Sequence, residues 1–145
     1  ASSPVRLVRG TTAAPSPRYS YSADGSEVSD ALTGLTWRRC AEGMGWSGSA
    51  CTGGSATYTH EQALAWAQSQ TGWRLPSVKE LNSVVDLTHT VPAVDSAVFP
   101  NTPTVSFWTS TPYVSSSGFA WGVNFGNGFV QPYYRNDRYR VRLVR

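Results

Sequence analysis

The sequence has few of the residues from which enzymes assemble active sites. Its 145 residues include two histidines, two cysteines and nine acidic residues, and charged residues make up only 14% of the chain. None of the motifs G-x-S-x-G, S-x-x-K or H-E-x-x-H occurs, nor does a glycine-rich phosphate loop. Asp86, His89 and a serine could in principle form a triad, but their spacing does not mark them for that role. We therefore predict a non-catalytic domain without a cofactor.

Long apolar runs are absent as well. No stretch approaches the roughly 20 apolar residues that a helix needs to span a bilayer, so membrane insertion is not expected. The N-terminus lacks the basic-then-apolar pattern of a signal peptide, as expected of a mature or trimmed chain. Hydrophobic residues (40%) and aromatic residues (12%) are plentiful. This composition is typical of one folded domain and not of a disordered tail.

The two cysteines, Cys40 and Cys51, enclose a short segment rich in glycine and serine. A disulfide between them would remove roughly 3 kcal/mol of unfolded-state entropy. A zinc site would require His60 and His89 as further ligands, and neither has a recognised ligand spacing. We predict the disulfide and no metal, which favours an oxidising compartment: outside the cell, at the cell surface or in the periplasm.

Basic residues are concentrated near the C-terminus. Eleven of the twelve are arginines, and five lie within the last eleven positions: Arg135, Arg138, Arg140, Arg142 and Arg145. The positive field of such a cluster favours an anionic partner. The alternative is an arginine-rich edge strand in which Val141 and Leu143 face the core while Arg140 and Arg142 face water.

One short repeat bears on domain organisation. The pentapeptide VRLVR occurs at residues 5–9 and again at residues 141–145. A segment rich in Gly, Thr, Ala and Pro follows the first copy and is typical of a linker. We expect residues 1–18 to be the tail of a preceding repeat plus a linker, and residues 19–145 to form a binding domain. Alternatively, the first copy is an N-terminal strand of the same domain.

Two capping boxes predict the starts of two helices. Thr59 is followed three residues later by Gln62, and Ser77 by Glu80. At this spacing the capping residue and the later side chain exchange hydrogen bonds with each other's backbone. The first helix would place His60 in its first turn, facing solvent.

Turn residues divide the rest of the chain into strands. Asp24-Gly25 predicts a hairpin between two short N-terminal strands, and Gly126-Asn127-Gly128 predicts another near the C-terminus. Residues 86–104 contain several prolines and predict an irregular loop. The other predicted strands are residues 34–39, 107–111, 119–125, 129–134 and 139–145. This order predicts an α+β fold of two helices packed on antiparallel strands and hairpins.

The predicted turns and strand ends of residues 113–138 have the composition of a recognition surface. Antibody loops use Tyr, Ser, Gly and Asn for adaptable contacts. Because Tyr133 and Tyr134 are adjacent in a strand, at least one should face outward. The predicted ligand-binding residues are Tyr113, Asn124, Asn127, Tyr133, Tyr134, Arg135, Asn136, Asp137 and Arg138. Other aromatic residues are expected in the core, namely Trp37, Trp108, Trp121 and Phe125.

Several sequence blocks also resemble a known family. They occur in the order GLTWRRC, YTHEQALAWA, WRLPSVKEL, FWTSTPY and a terminal VRLVR. Over roughly residues 19–145 the chain is similar to the Lcl C-terminal domain family, which is named for a collagen-like bacterial adhesin. The resemblance implies a secreted or surface-displayed bacterial adhesin. Because that adhesin binds sulfated glycosaminoglycans, it also implies an anionic polysaccharide as one ligand.

The family in turn resembles the C-type-lectin-like and formylglycine-generating-enzyme-like folds, through residues 74–81, RLPSVKEL. The enzyme branch uses cysteines late in the chain, and none follows Cys51. The resemblance therefore implies the fold without the oxidase activity. Some C-type-lectin-like domains are diversified by retroelements in loops rich in Asn, Tyr, Ser and Asp, and residues 113–138 have that composition.

Together these observations predict a bacterial binding module that recognises carbohydrate or a host or cell-surface protein. Neither nucleic-acid binding nor membrane insertion is expected. The alternative is a structural repeat that associates as a homo-oligomer in a surface fibre or pilus-like assembly.

Overall fold

The computed structural model describes residues 17–145. The first VRLVR copy and most of the predicted linker lie outside the described residues, so the domain boundaries stay a prediction. Within residues 17–145 the chain forms two three-stranded antiparallel sheets, a two-stranded ribbon and two helices. The α+β class is therefore confirmed, while the relation to C-type lectins stays a prediction.

The N-terminal sheet contains β1 (Tyr19–Tyr21), β2 (Glu27–Asp30) and β3 (Leu35–Arg38) in that order. Gly25, at φ +80°, lies in the turn between β1 and β2. The Asp24 carboxylate supports this turn by accepting hydrogen bonds from the backbone and the side chain of Ser26. The predicted Asp-Gly hairpin is confirmed.

A ribbon of β4 (Gly45–Trp46) and β5 (Cys51–Thr52) follows. Cys40 and Cys51 form the predicted disulfide, with their Cα atoms 5.5 Å apart. The bond attaches the ribbon to the end of β3. The loop between the cysteines is called the disulfide loop below.

Both predicted helix starts are confirmed. Helix α1 (His60–Ser69) begins after Thr59 and helix α2 (Val78–Asn82) after Ser77, each with a complete capping box. No helix or strand lies between Asn82 and Ser106, as the prolines predict. None of the helices in the described residues has the length and apolar character needed to cross a membrane.

The C-terminal sheet contains β6 (Ser106–Pro112), β7 (Phe119–Asn124) and β8 (Val130–Tyr134) in that order. The predicted hairpin turn between β7 and β8 is confirmed. In this turn Gly128 adopts φ +80° and donates a backbone hydrogen bond of 2.7 Å to Asn124.

The expectation that residues 139–145 form an edge strand is wrong, since this segment makes isolated bridges but no strand. Val141 and Leu143 face the core as expected, whereas Arg142 does not face water. The segment is bonded on both sides, to β3 through Arg38 N and Leu143 O and to β6 through Trp108 N and Arg140 O. It therefore runs through the centre of the domain, although Tyr139 and Arg140 are partly exposed and Arg145 is exposed. The Arg142 side chain is buried together with Val141, Leu143 and Val144.

Two apolar clusters form the core on either side of this central segment. One contains Trp37, Phe107 and Phe125, and the other contains Trp108 and Leu143. Three of the four aromatic residues expected in the core are therefore buried. Trp121 is only partly buried, because β7 turns this ring to the opposite side of the sheet from the buried Ala120.

Candidate functional site

Four aromatic side chains form a row on the outer side of the C-terminal sheet. The Tyr113 ring contacts Trp121 at 5.3 Å between centroids and Phe119 at 6.3 Å, and Phe119 contacts Tyr134 at 5.8 Å. All contacts are edge-to-face, so the rings hold one another in place. We call Tyr113, Phe119, Trp121 and Tyr134 the aromatic face.

The alternation of β7 and β8 explains why these rings point outward. Phe119 pairs with Tyr134 across the strands, and Ala120, which lies between Phe119 and Trp121, points to the opposite side. Gly122 is required there, because a Cβ atom would lie 2.6 Å from the Tyr133 ring and 2.9 Å from the Phe107 carbonyl oxygen. A small residue in β7 thus leaves space for an inward tyrosine.

Of the two adjacent tyrosines, Tyr134 is the outward one, with 47% of its surface exposed. Tyr133 packs against Trp108 and Tyr139, and its hydroxyl accepts a hydrogen bond from Ser106. The expectation that at least one faces outward is confirmed. Tyr133 is partly buried and packs against the core, away from any ligand on the aromatic face.

Asn124 and Asn127 shape the hairpin turn. The Asn124 Oδ1 atom accepts a hydrogen bond from Gly126 N at 2.6 Å, and the Asn127 Oδ1 atom accepts one from Phe129 N at 2.9 Å. Their side-chain oxygens are therefore engaged within the turn. The structure does not bring them to the aromatic face.

The exposed turn after β8 carries the remaining polar candidates. Asn136 donates a hydrogen bond to the Tyr134 hydroxyl, and Asp137 accepts one from Tyr139. Arg138 reaches the first turn of α1, where it donates to Gln62. The structure thus joins Asn136 to the aromatic face through Tyr134, with Asp137 and Arg138 following in the same turn.

Arg135 is anchored by contacts inside the domain. Its Nε atom donates to the Phe119 carbonyl oxygen, and its Nη1 atom lies 3.2 Å from His60 Nδ1. On the other side of the ring, His60 Nε2 lies 2.8 Å from the Thr109 carbonyl oxygen. This arrangement fits a neutral imidazole that donates from Nε2 and accepts at Nδ1.

The expectation that His60 faces solvent is wrong, since the residue is 1% exposed. The first turn of α1 packs beneath β6, where the imidazole meets the Trp108 ring at 4.9 Å. Burial lowers the pKa of His60; the hydrogen bond to Thr109 opposes this shift, and the charge of Arg135 adds to it.

The lowered pKa of His60 predicts a loss of stability in mild acid. The unfolded chain takes up a proton near pH 6.5 while the folded chain resists it, so the free energy of unfolding falls as pH drops below that value. Urea unfolding at pH 7.5 and at pH 5 measures the difference. In the His60→Gln variant this part of the pH dependence should vanish, whereas the exposed control His89→Gln should retain it. An unchanged pH dependence in His60→Gln would contradict the assignment.

The five C-terminal arginines do not form one surface. Arg135 and Arg138 contact the first turn of α1. Arg140 donates to Ser55, and Arg145 pairs with Glu27 at 2.7 Å. Arg142 lies in the core. The arginine cluster of the sequence is therefore divided among separate parts of the fold, because the central segment sends its side chains in several directions.

In the part of the chain that the structure describes, no group of three His, Cys, Asp or Glu residues is placed to hold a metal ion. The comparison with curated proteins finds no match. The family model of the Lcl C-terminal domain matches residues 26–145, which cover the core, the disulfide and the aromatic face. The chain therefore belongs to the Lcl C-terminal domain family.

Proposed function

We propose that this adhesin-like, surface-associated domain binds carbohydrate through its aromatic face. The family indicates the adhesin-like character and the association with the bacterial surface. Secretion and the carbohydrate ligand are our proposals. The observation that supports the ligand is the row of partly exposed rings on a rigid sheet, with polar side chains in the turn beside it.

Sugar rings have apolar faces that pack on aromatic rings, while their hydroxyl groups need hydrogen-bond partners. The aromatic face offers rings for the apolar sugar faces. Asn136, Asp137 and Arg138 in the following turn offer hydrogen-bond partners for the hydroxyl groups. Because edge-to-face contacts already hold the rings, binding would lose little side-chain entropy. A domain presenting such a surface is suited to recognising glycans outside the cell.

A glycan array that includes sulfated polysaccharides, probed at low and at physiological salt, tests the proposal. We expect Trp121→Ala and Tyr134→Ala each to weaken binding about tenfold, equivalent to about 1.4 kcal/mol per ring. Tyr21→Ala is the matched control, since Tyr21 is an exposed tyrosine of the N-terminal sheet. Because stacking would dominate and the arginines are dispersed, salt should have a weak effect. Equal binding by all variants would contradict the proposal.

Self-association is a second candidate, favoured by a different surface. Leu87 and Phe129 are largely exposed, and they flank Gly128, whose Cβ position lies 2.6 Å from a Leu87 methyl carbon. Exposed apolar side chains that lie together are typical of contact sites. Analytical ultracentrifugation without glycan should then detect oligomers that Leu87→Ser dissociates. A concentration-independent monomer would exclude this candidate.

A further inference from the structure

A cavity of about 310 Å³ lies between the N-terminal sheet, the disulfide loop and the segment after α1. Its lining includes three charged residues, two tryptophans and a methionine from these elements: Glu27, Arg38, Glu42, Trp46, Trp73 and Met44. None of these residues belongs to the aromatic face. The volume is at the lower end of the range of small-molecule pockets, about 300–1,000 Å³.

Glu42 is the residue that marks this cavity as a site. Its side chain is only 5% exposed, and its Oε1 atom accepts hydrogen bonds from Arg38 Nη1 at 2.8 Å and Trp66 Nε1 at 2.9 Å. No hydrogen bond to its Oε2 atom is found among the described residues, and Glu42 lines the cavity. Among the described residues, the fully buried side-chain polar atoms that lack a partner do not include this oxygen, so it is accessible to a ligand or water in the cavity.

The aromatic walls are held in place before any ligand arrives. The Trp73 ring contacts the guanidinium groups of Arg38, at 4.8 Å, and Arg145, at 4.4 Å. The Trp46 ring contacts Arg39 at 4.6 Å, and its Nε1 atom donates to the Asp24 carbonyl oxygen. Rigid walls reduce the entropy that binding would lose.

The charges around the cavity select the chemistry of the ligand. An anion would meet the carboxylates of Glu27 and Glu42. A cation would meet the guanidinium group of Arg38. A neutral ligand that both donates and accepts hydrogen bonds avoids both conflicts. Its hydroxyl hydrogens fit Glu42 Oε2, and its oxygens fit Arg38.

We infer that this cavity, which we call the Glu42 pocket, binds one or two units of a neutral sugar. A hydroxyl donates to Glu42 Oε2, and the ring packs against Trp46 or Trp73. The pocket is independent of the aromatic face, since the two sites share no residue, and either can bind without the other. The proposal therefore adds a second site, which prefers a neutral sugar to a sulfated polysaccharide.

Nuclear magnetic resonance of the ¹⁵N-labelled full chain tests this inference. The probes are the methyl glycosides of glucose, galactose, mannose and N-acetylglucosamine, with heparin and spermidine as charged comparisons. At least one glycoside should shift the indole N–H signals of Trp46, Trp66 and Trp73 and leave that of Trp121 in place. Trp66 should respond because its N–H shares the Glu42 carboxylate.

Two variants and one control decide the role of the pocket. Glu42→Gln keeps the shape and removes the carboxylate, and should weaken glycoside binding at least tenfold. Glu61→Gln, the same change on the exposed side of α1, should bind like the wild type. Trp46→Ala leaves the Glu42–Arg38 ion pair intact and should also abolish the glycoside-induced shifts of the Trp66 and Trp73 signals. It therefore tests the inference even if Glu42→Gln does not fold.

Four results would overturn the inference. One is the absence of shifts with all four glycosides at the highest soluble concentration. Another is equal binding by the wild type and the folded pocket variants. The third is a stronger response of the same three indole signals to heparin or spermidine than to any glycoside. The fourth is a shift of the Trp121 signal alone, which would contradict binding in the Glu42 pocket and support binding at the aromatic face.

Discussion

Replacing Arg142 with alanine should destabilise the domain by about 3–5 kcal/mol, because the loss of a large buried side chain is combined with the loss of three buried hydrogen bonds. The guanidinium group is 1% exposed and donates to the carbonyl oxygens of Arg38 and Arg39 and to Thr102 Oγ1. It also lies 4.8 Å from the Phe99 ring. The substitution would leave a cavity and three acceptors without their donor.

Urea unfolding at pH 7 measures this effect. Burial lowers the pKa of Arg142 to about 9, so the group is still charged at that pH. Arg145→Ala is the matched control, because Arg145 is about half exposed and its ion pair with Glu27 should contribute about 1 kcal/mol or less. Arg142→Met restores most of the volume without the hydrogen bonds and should fall between the two. An Arg142→Ala protein as stable as the control would refute this role.

The local elements of the fold could be predicted from the sequence because their signals are local. The capping boxes at Thr59 and Ser77 and the Asp24-Gly25 turn each need only a few neighbouring residues. The disulfide could be predicted for a similar reason, since Cys40 and Cys51 are close in sequence. What these signals leave open is which side of each element other parts of the chain will cover.

That missing information explains the errors at Arg142 and His60. The alternation of residues 139–145 predicts a half-exposed strand, but bonding on both sides surrounds the segment with protein. Burying an arginine then requires acceptors from distant segments, here Arg39 and Thr102, and no local pattern reveals them. His60 is similar, because the strand that covers the first turn of α1 follows it by almost 50 residues.

The candidate site could be predicted in part. The outward position of Tyr134 follows from strand alternation, and the exposed turn at Asn136 follows from composition. The sequence predicts Trp121 in the core, because aromatic residues are more often buried, and it assigns no role to Phe119. The signal that could have found them is their spacing of two around Ala120. The Glu42 pocket had no such signal, since its walls come from three separate parts of the chain.

The second large effect is expected at Asp30, whose replacement with alanine should also destabilise the domain by about 3–5 kcal/mol. The carboxylate is fully buried and accepts two hydrogen bonds of 2.8 Å from Arg18, with others from Leu32 N and Thr33 Oγ1. Asp137→Ala, an exposed control, should change stability by no more than about 0.5 kcal/mol. Chemical denaturation at pH 7 distinguishes the two. An effect of Asp30→Ala as small as that of Asp137→Ala would contradict a stabilising role for these buried hydrogen bonds.

The ion pair between Arg18 and Asp30 also predicts how acid unfolds the protein. Burial raises the pKa of Asp30, but the hydrogen bonds from Arg18, Leu32 and Thr33 outweigh it and hold the pKa below its ordinary value. The stability that this shift contributes is present above about pH 4, the pKa of an aspartate in the unfolded chain, and is lost as pH falls through the folded pKa. Arg18→Ala removes the largest of these hydrogen-bonding partners, so its acid unfolding should occur at higher pH.

Arg18 also bears on where the folded domain begins, because the linker predicted from the sequence includes it. Besides Asp30 in β2, it donates to the Ser83 carbonyl oxygen at the end of α2 and so joins two distant parts of the fold. We expect Arg18→Ala to lower the free energy of unfolding by about 1–3 kcal/mol, less than Asp30→Ala because its side chain is one-third exposed. A change of that size in urea unfolding would place position 18 inside the domain. A change below about 0.5 kcal/mol would instead support a linker that ends after Arg18.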